Sequence, residues 1–310
     1  MMNNNTSKTI LVSGASGLLG NELVNQLLNE RNYKIIALTS QKHKLVDQFN
    51  GKNILVLHIN DWVEEIDSDV KIDTFINCAF PRSSDPGQLA QGLKFTENII
   101  SDAVSLNVKS IINISSQSVY SQKEKAVIDE SLTVAPESLY GMAKYACERI
   151  VKMICDNHRE NVYYSNIRLA SLTGRNFDVR MTNRFVKNAM TNKPITINGG
   201  NQSISYLEVR DAAEALIKMI DVNPVDWKKE YNLGNNETFT LIELTNIIRE
   251  IAIEHSIGPV QVIRNEGNSN FSNLIDSNLF YSDFNWIPNY SIREMVGELF
   301  LYYKKRNLNC

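Results

Sequence analysis

Apolar and polar positions follow a regular rhythm over the first 170 residues: a short apolar run, then a longer stretch with one apolar face. The runs are Thr9–Ser13, Lys34–Leu38, Ile54–His58, Thr74–Cys78, Ser110–Ile114 and Tyr163–Arg168. The amphipathic stretches between them are Leu18–Asn29, Lys42–Phe49, Gln88–Leu106 and Leu139–Asn157. Ile35-Ile36-Ala37-Leu38 and Ile111-Ile112-Asn113-Ile114 are nearly continuous rather than alternating. That suits parallel strands covered on both faces. Repeated βα units predict an α/β chain with a doubly wound parallel sheet, whose ligands sit at the carboxyl ends of the strands.

Past Arg168 the rhythm breaks. Glycine and asparagine cluster at Asn198-Gly199-Gly200-Asn201. A strand at Ile204–Leu207, a helix over Val209–Asp221 and a strand end at Tyr231–Gly234 are predicted next. A helix over Phe239–Ala252, a short strand at Val260–Ile263 and a last helix over Ile292–Lys304 complete the pattern. No Pro- or Ser-rich linker separates the two halves. The expected organisation is a sheet domain of residues 1–170, completed by segments from about 203–235, and a smaller interleaved C-terminal lobe of 171–202 and 236–310 that binds substrate.

Composition narrows the classes. The chain has 310 residues, 43% apolar and 22% charged, with a formal charge of −3. A small negative charge offers no general attraction to nucleic acid or anionic lipid. No apolar run approaches the ~20 residues that span a bilayer. Met1–Lys8 carries no apolar segment of the signal-peptide kind and reads as a frayed tail. Cys78, Cys147, Cys155 and Cys310 form no CxxC, and His43, His58, His158 and His255 are scattered. Neither a metal site nor a disulfide framework is expected, and the default location is cytoplasmic.

Two motifs carry the chemistry. Gly14-Ala15-Ser16-Gly17-Leu18-Leu19-Gly20 follows the first strand and opens the first helix. Closely spaced glycines there let the backbone approach a pyrophosphate, which the helix N-terminus attracts. This makes the sheet domain a dinucleotide-binding Rossmann domain. The position about 20 residues on, where an acid would bind the ribose of NAD, has Thr39-Ser40-Gln41-Lys42 instead. Hydroxyls and a lysine suit a 2′-phosphate, so NADP(H) is favoured over NAD(H). Asp61, after the third strand, either reaches the adenine edge or caps a short helix from Trp62.

Tyr140 and Lys144 are four residues apart, so on one helical face. A phenol of pKa about 10 is a poor base at neutral pH. A lysine one turn away, with the positive nicotinamide beside it, favours the phenolate. Ser116, at the end of the fifth strand, can orient a substrate oxygen toward Tyr140 while a hydride moves. Arg82, in the loop after the fourth strand, is placed to contact substrate.

With these residues the chain resembles an extended short-chain dehydrogenase/reductase, of the NAD(P)-dependent nucleotide-sugar epimerase, dehydratase and reductase kind. Gly14 to Gly20 match the family's glycine motif. Asp73–Ala79 resembles its fourth strand, whose end packs on the cofactor. Ile114-Ser115-Ser116-Gln117-Ser118-Val119-Tyr120 is similar to its catalytic-serine strand, and Tyr140 and Lys144 match its active-site pair. The resemblance implies catalysis by Ser116, Tyr140 and Lys144. It implies cofactor contacts from Gly14, Ser16, Gly17, Leu18, Leu19, Gly20, Thr39, Ser40, Lys42, Asp61, Cys78, Ala79, Phe80, Tyr140 and Lys144. Substrate contacts are expected from Arg82, Ser116, Gln117, Ser118, Arg180, Tyr206 and Arg264. A homodimer through the Gln88–Leu106 and Leu139–Asn157 helices is implied by analogy.

Departures from the family pattern bear on the reaction. The 4,6-dehydratases carry Thr-Asp-Glu where this chain has Ser116-Gln117-Ser118, which argues against elimination of water. Ile204 and Asn265 occupy places where diphosphate-binding arginines are expected. The expected function is therefore an NAD(P)-dependent oxidoreductase on a sugar ring carbon, foremost a nucleotide-sugar 4-ketoreductase. A 4-epimerase with retained NAD is the alternative, and a non-catalytic dinucleotide sensor the remoter one.

Overall fold

A computed structural model describes residues 7–30, 32–67, 69–121, 123, 127–267 and 274–307. Residues 1–6 of the expected tail and Cys310 lie outside them. The chain divides into two compact units, one of residues 1–120, 134–168 and 213–231, the other of 121–133, 169–212 and 232–310. Of the segments grouped above with the sheet domain, 121–133, 169–170, 203–212 and 232–235 fall in the second unit, and 213–231 in the first.

The first unit is built on a seven-stranded parallel sheet. In chain order its strands are β1 (Lys8–Ser13), β2 (Tyr33–Thr39), β3 (Ile54–His58), β4 (Thr74–Asn77), β5 (Ser110–Ser116) and β6 (Tyr163–Leu169). A later strand, β11 (Glu230–Leu233), completes it, in the spatial order β11-β6-β5-β4-β1-β2-β3. The expected strands recur within a residue or two. The intervening helices are α1 (Leu18–Asn29), α2 (Lys42–Gln48), α3 (Trp62–Glu65), α4 (Pro86–Ser105) and α5 (Leu139–Asp156). Apolar strand residues such as Leu11, Phe75 and Ile111 are fully buried against Ile100, Ala103 and Val151 of the helices. Helix α4 begins at Pro86 rather than Gln88. The Asp85 carboxylate caps it by accepting the Gln88 N–H, and proline at the first helical position needs no partner for an N–H.

Among the described residues the second unit has three two-stranded sheets. They join β7 (Ser171–Thr173) to β10 (Tyr206–Glu208), β9 (Ser203–Ile204) to β12 (Phe239–Thr240), and β8 (Ile195–Asn198) to β13 (Val262–Asn265). Helices α6 (Met181–Met190), α8 (Leu241–Glu254) and α10 (Ile292–Asn307) share a core of Val186, Leu244, Ile248, Val296 and Phe300. Helix α7 (Val209–Asp221) runs from the second unit into the first, and α9 is Asn278–Phe284. Three expectations change here. The run at 204–207 is two strands rather than one, parted at Ser205, whose hydroxyl accepts the Ile275 N–H. Helix α8 starts at Leu241 rather than Phe239, because Thr240 and Glu243 form a reciprocal capping box. The last short strand lies at 262–265, in register with β8.

Candidate active site

The sheet order reverses between β1 and β4, the place where a crevice opens at the carboxyl ends of such a sheet. The glycine loop lies there. Gly14 has φ +65°, and a Cβ on it would stand 3.0 Å from the Ala79 nitrogen at the end of β4. A Cβ on Gly20 would stand 2.3 Å from the Gly14 carbonyl oxygen. Ser16, Leu18 and Leu19 share this turn into α1, and Leu19 is buried. Gly17 caps α1 with no side chain, and the first turn holds no acid. Open N–H groups, a tight backbone cradle and no competing carboxylate fit a dinucleotide pyrophosphate.

The end of β2 is tied to this loop, since the buried Thr39 hydroxyl donates to Ser16 Oγ at 2.9 Å. Ser40 beside it is exposed. Lys42 is ion-paired with Glu65 of α3 at 2.7 Å. A 2′-phosphate would therefore meet a cation that already holds a carboxylate. Asp61 stands at the N-cap of α3, but its side chain makes no capping bond and pairs with His58 at 3.3 Å.

Beyond β4, Cys78, Ala79 and Phe80 line the approach to α5. Burial pushes the Cys78 thiol up to about 12, against the opposing pull of the Lys144 ammonium. Lys144 is buried, donates from Nζ to the Ile114 carbonyl of β5, and lies 4.5 Å from the Phe80 ring centroid. The Phe80 and Tyr140 rings meet edge to face at 6.2 Å. Ser116 Oγ accepts the Ser118 N–H at 3.1 Å and so caps the turn Gln117–Val119. That turn touches the start of α5, because a Cβ on Gly141 would lie 2.1 Å from the Ser118 carbonyl oxygen. Phe80, Ser116, Gln117, Ser118, Tyr140 and Lys144 are thus brought together at one end of the sheet. Arg82 is exposed in the loop before α4.

The other expected substrate residues belong to the second unit. The Arg180 guanidinium lies 5.0 Å from the Phe177 ring. Buried Tyr206 stacks on Phe239 at 5.5 Å. Burial raises the Tyr206 phenol, while Thr182 and Arg180 pull it down. Arg264, exposed on β13, donates to the Gly199 carbonyl.

Two buried networks escaped the sequence reading. One crosses the sheet: Ala79 N–H donates to Ser13 Oγ, and Ser13 to Asn77 Oδ1. Asn77 then donates to Asn113, Asn113 to Asn166, and Asn166 to the Lys229 carbonyl. The other is an ion pair between Glu148 of α5 and Arg168 of β6, with Ser115 and Tyr120 attached. The available signal was the polar residues set within apolar strands, Asn113 in β5 and Asn166 and Arg168 in β6, since such residues must find partners when buried. Among the described residues no group of three metal-ligating side chains occurs. No helix there is long and apolar enough to cross a membrane.

A parallel sheet with a glycine cradle at its switch point is the arrangement of a dinucleotide-binding fold. Residues 10–234 match the model of the NAD dependent epimerase/dehydratase family, and the chain belongs to that family of nucleotide-sugar enzymes. It is 27% identical over 80% of its length to a putative UDP-glucose 4-epimerase of Methanocaldococcus jannaschii, covering 82% of that protein. It is 24% identical over 97% of its length to UDP-glucuronic acid decarboxylase 1 of Arabidopsis thaliana, covering 71% of it. In fold it resembles UDP-glucose 4-epimerase from Thermotoga maritima, solved with UDP-glucose. The TM-score is 0.82 at 21% identity, over 96% of this chain and 99% of that one.

Proposed function

We propose that this protein is a nucleotide-sugar 4-epimerase that retains NAD, acting on a UDP-hexose. The observation that carries it is the gathering of Ser116, Tyr140 and Lys144 beside the glycine cradle, with epimerases among the relatives. The ion pair of Lys42 with Glu65 weakens the case for a 2′-phosphate and so favours NAD over NADP. The nicotinamide supplies a hydride acceptor and donor when bound. Gly14, Gly17 and Gly20 admit its pyrophosphate, and Lys144 holds its ribose. Ser116 Oγ accepts the Ser118 N–H and can still donate its own hydrogen to a substrate oxygen. Tyr140 takes the proton of the sugar hydroxyl and returns it after the keto sugar has turned its other face. Arg180, Tyr206 and Arg264 contact the nucleotide diphosphate, and Arg82 the sugar. The protein works as a homodimer through α4 and α5, and on α5 the exposed Met142 and Met153 offer an apolar face.

The test is stoichiometric. UDP-glucose is incubated with the protein and no added cofactor, and its 4-epimer is sought. Product without change in free nicotinamide absorbance supports the epimerase. Consumption of NADPH equal to product, from a 4-keto nucleotide sugar, supports the 4-ketoreductase reading, which the exposed Ser40 hydroxyl favours.

A further inference from the structure

On the helix that bears Tyr140, Glu148 forms a buried pair with Arg168 of β6, the two being 2% and 5% exposed, and also takes a hydrogen bond from the strand that bears Ser116. Glu148 sits one turn beyond Lys144 on α5. Its Oε1 accepts the Ser115 hydroxyl at 2.5 Å and Arg168 Nε at 3.0 Å, and its Oε2 accepts Arg168 Nη2 at 2.8 Å. The remaining Arg168 nitrogen, Nη1, donates to the Tyr120 hydroxyl at 2.9 Å. Burial by itself would lower the guanidinium, but the Glu148 carboxylate outweighs it and holds Arg168 above its ordinary value. Ser115 precedes Ser116 and Tyr120 ends the turn that Ser116 caps. Both flanks of the serine therefore hang on one ion pair. Lys144 ties the preceding helical turn to Ile114, the preceding strand residue. The contact of Gly141 with the Ser118 carbonyl leaves no slack between the two segments.

We propose that Ser115 is a positioning residue: through Glu148 and Arg168 it sets the distance between the Ser116 hydroxyl and the Tyr140 phenol. The inference rests on the epimerase reading for its kinetic form, though the geometry stands by itself. Ser115→Ala deletes the link and leaves the bidentate ion pair whole. A displacement near 1 Å between reacting groups can lower a rate by about a hundredfold. The expected result is kcat down at least about tenfold on UDP-glucose, a share of that hundredfold, with KM and bound NAD content within about twofold. The melting temperature stays within a few degrees, and Ser115→Thr, which keeps the hydroxyl, restores kcat. A kcat equal to the natural chain's, or a loss matched by loss of folded protein, overturns the proposal. If the natural chain turns over no nucleotide sugar, the epimerase reading fails and crystal structures decide this one. Ser116 Oγ should then move by about 0.5 Å or more relative to Tyr140 in Ser115→Ala, the tolerance of a working site. An unmoved Ser116 overturns it.

Discussion

Replacing Gly14 with alanine separates two demands on the glycine loop, and Gly51 supplies the control. Gly14 and Gly51 have φ of +65° and +76°. An L side chain in that region costs about 1–2 kcal/mol. The surroundings differ: a Cβ on Gly51 meets nothing within 4 Å, whereas on Gly14 it meets three backbone atoms of Cys78 and Ala79 at 3.0–3.1 Å. Backbone cannot rotate aside, so overpacking adds about 1–3 kcal/mol at Gly14 alone. The sums are about 1–2 kcal/mol for Gly51→Ala and about 2–5 kcal/mol for Gly14→Ala. At roughly 2–4 °C per kcal/mol the melting temperature should fall by about 2–8 °C and about 4–20 °C respectively. Calorimetry reads those shifts, and nicotinamide content after gel filtration reads cofactor retention. Gly51→Ala should keep its NAD while Gly14→Ala loses it. Equal melting shifts with equal retention would refute the cradle, because backbone strain alone would then explain both positions.

Other outcomes follow from the same geometry. Tyr140→Phe should lower turnover by about 10²–10⁴, the range for a lost acid–base group, while bound NAD is retained. Glu65→Lys should raise affinity for NADP(H) relative to NAD(H) by about fivefold, equivalent to the ~1 kcal/mol of an exposed charge pair; isothermal titration with both nucleotides would show no change if the 2′ position lies elsewhere. Burial raises the Cys78 and Cys155 thiols from an ordinary 9.0 to about 12. The folded state then binds more protons than the unfolded one between those values, so stability falls as pH rises from about 9 toward 12. Urea unfolding across that range should show a shallower fall for Cys78→Ala/Cys155→Ala, and an unchanged slope would contradict the assignment.

Nearly continuous apolar strands made the sheet legible, because 10–12, 35–38 and 111–114, apolar throughout but for Asn113, leave few other ways to be buried. The glycine loop and the Tyr140–Lys144 spacing were legible because each is local. The second unit was less so. Helix α6 and strands β7 and β8 carry mixed polarity and are short, and α9 follows residues with no clear period. Ser205 parts two strands through a bond to residue 275, a partner 70 positions away. The Glu148–Arg168 pair has the same character: α5 offers Glu148 the cations Lys144, Arg149 and Lys152 at local spacing, and only packing against β6 selects Arg168, 20 positions away.

The amide row from Ala79 to Lys229 has a consequence for synthesis on the ribosome. Its last acceptor, the Lys229 carbonyl, lies just ahead of β11 and is made 63 residues after Asn166. A nascent chain that has emerged only through β6 leaves the Asn166 side-chain amide without that acceptor at an open sheet edge. The border of the N-terminal half is therefore closed only by a segment distant in sequence.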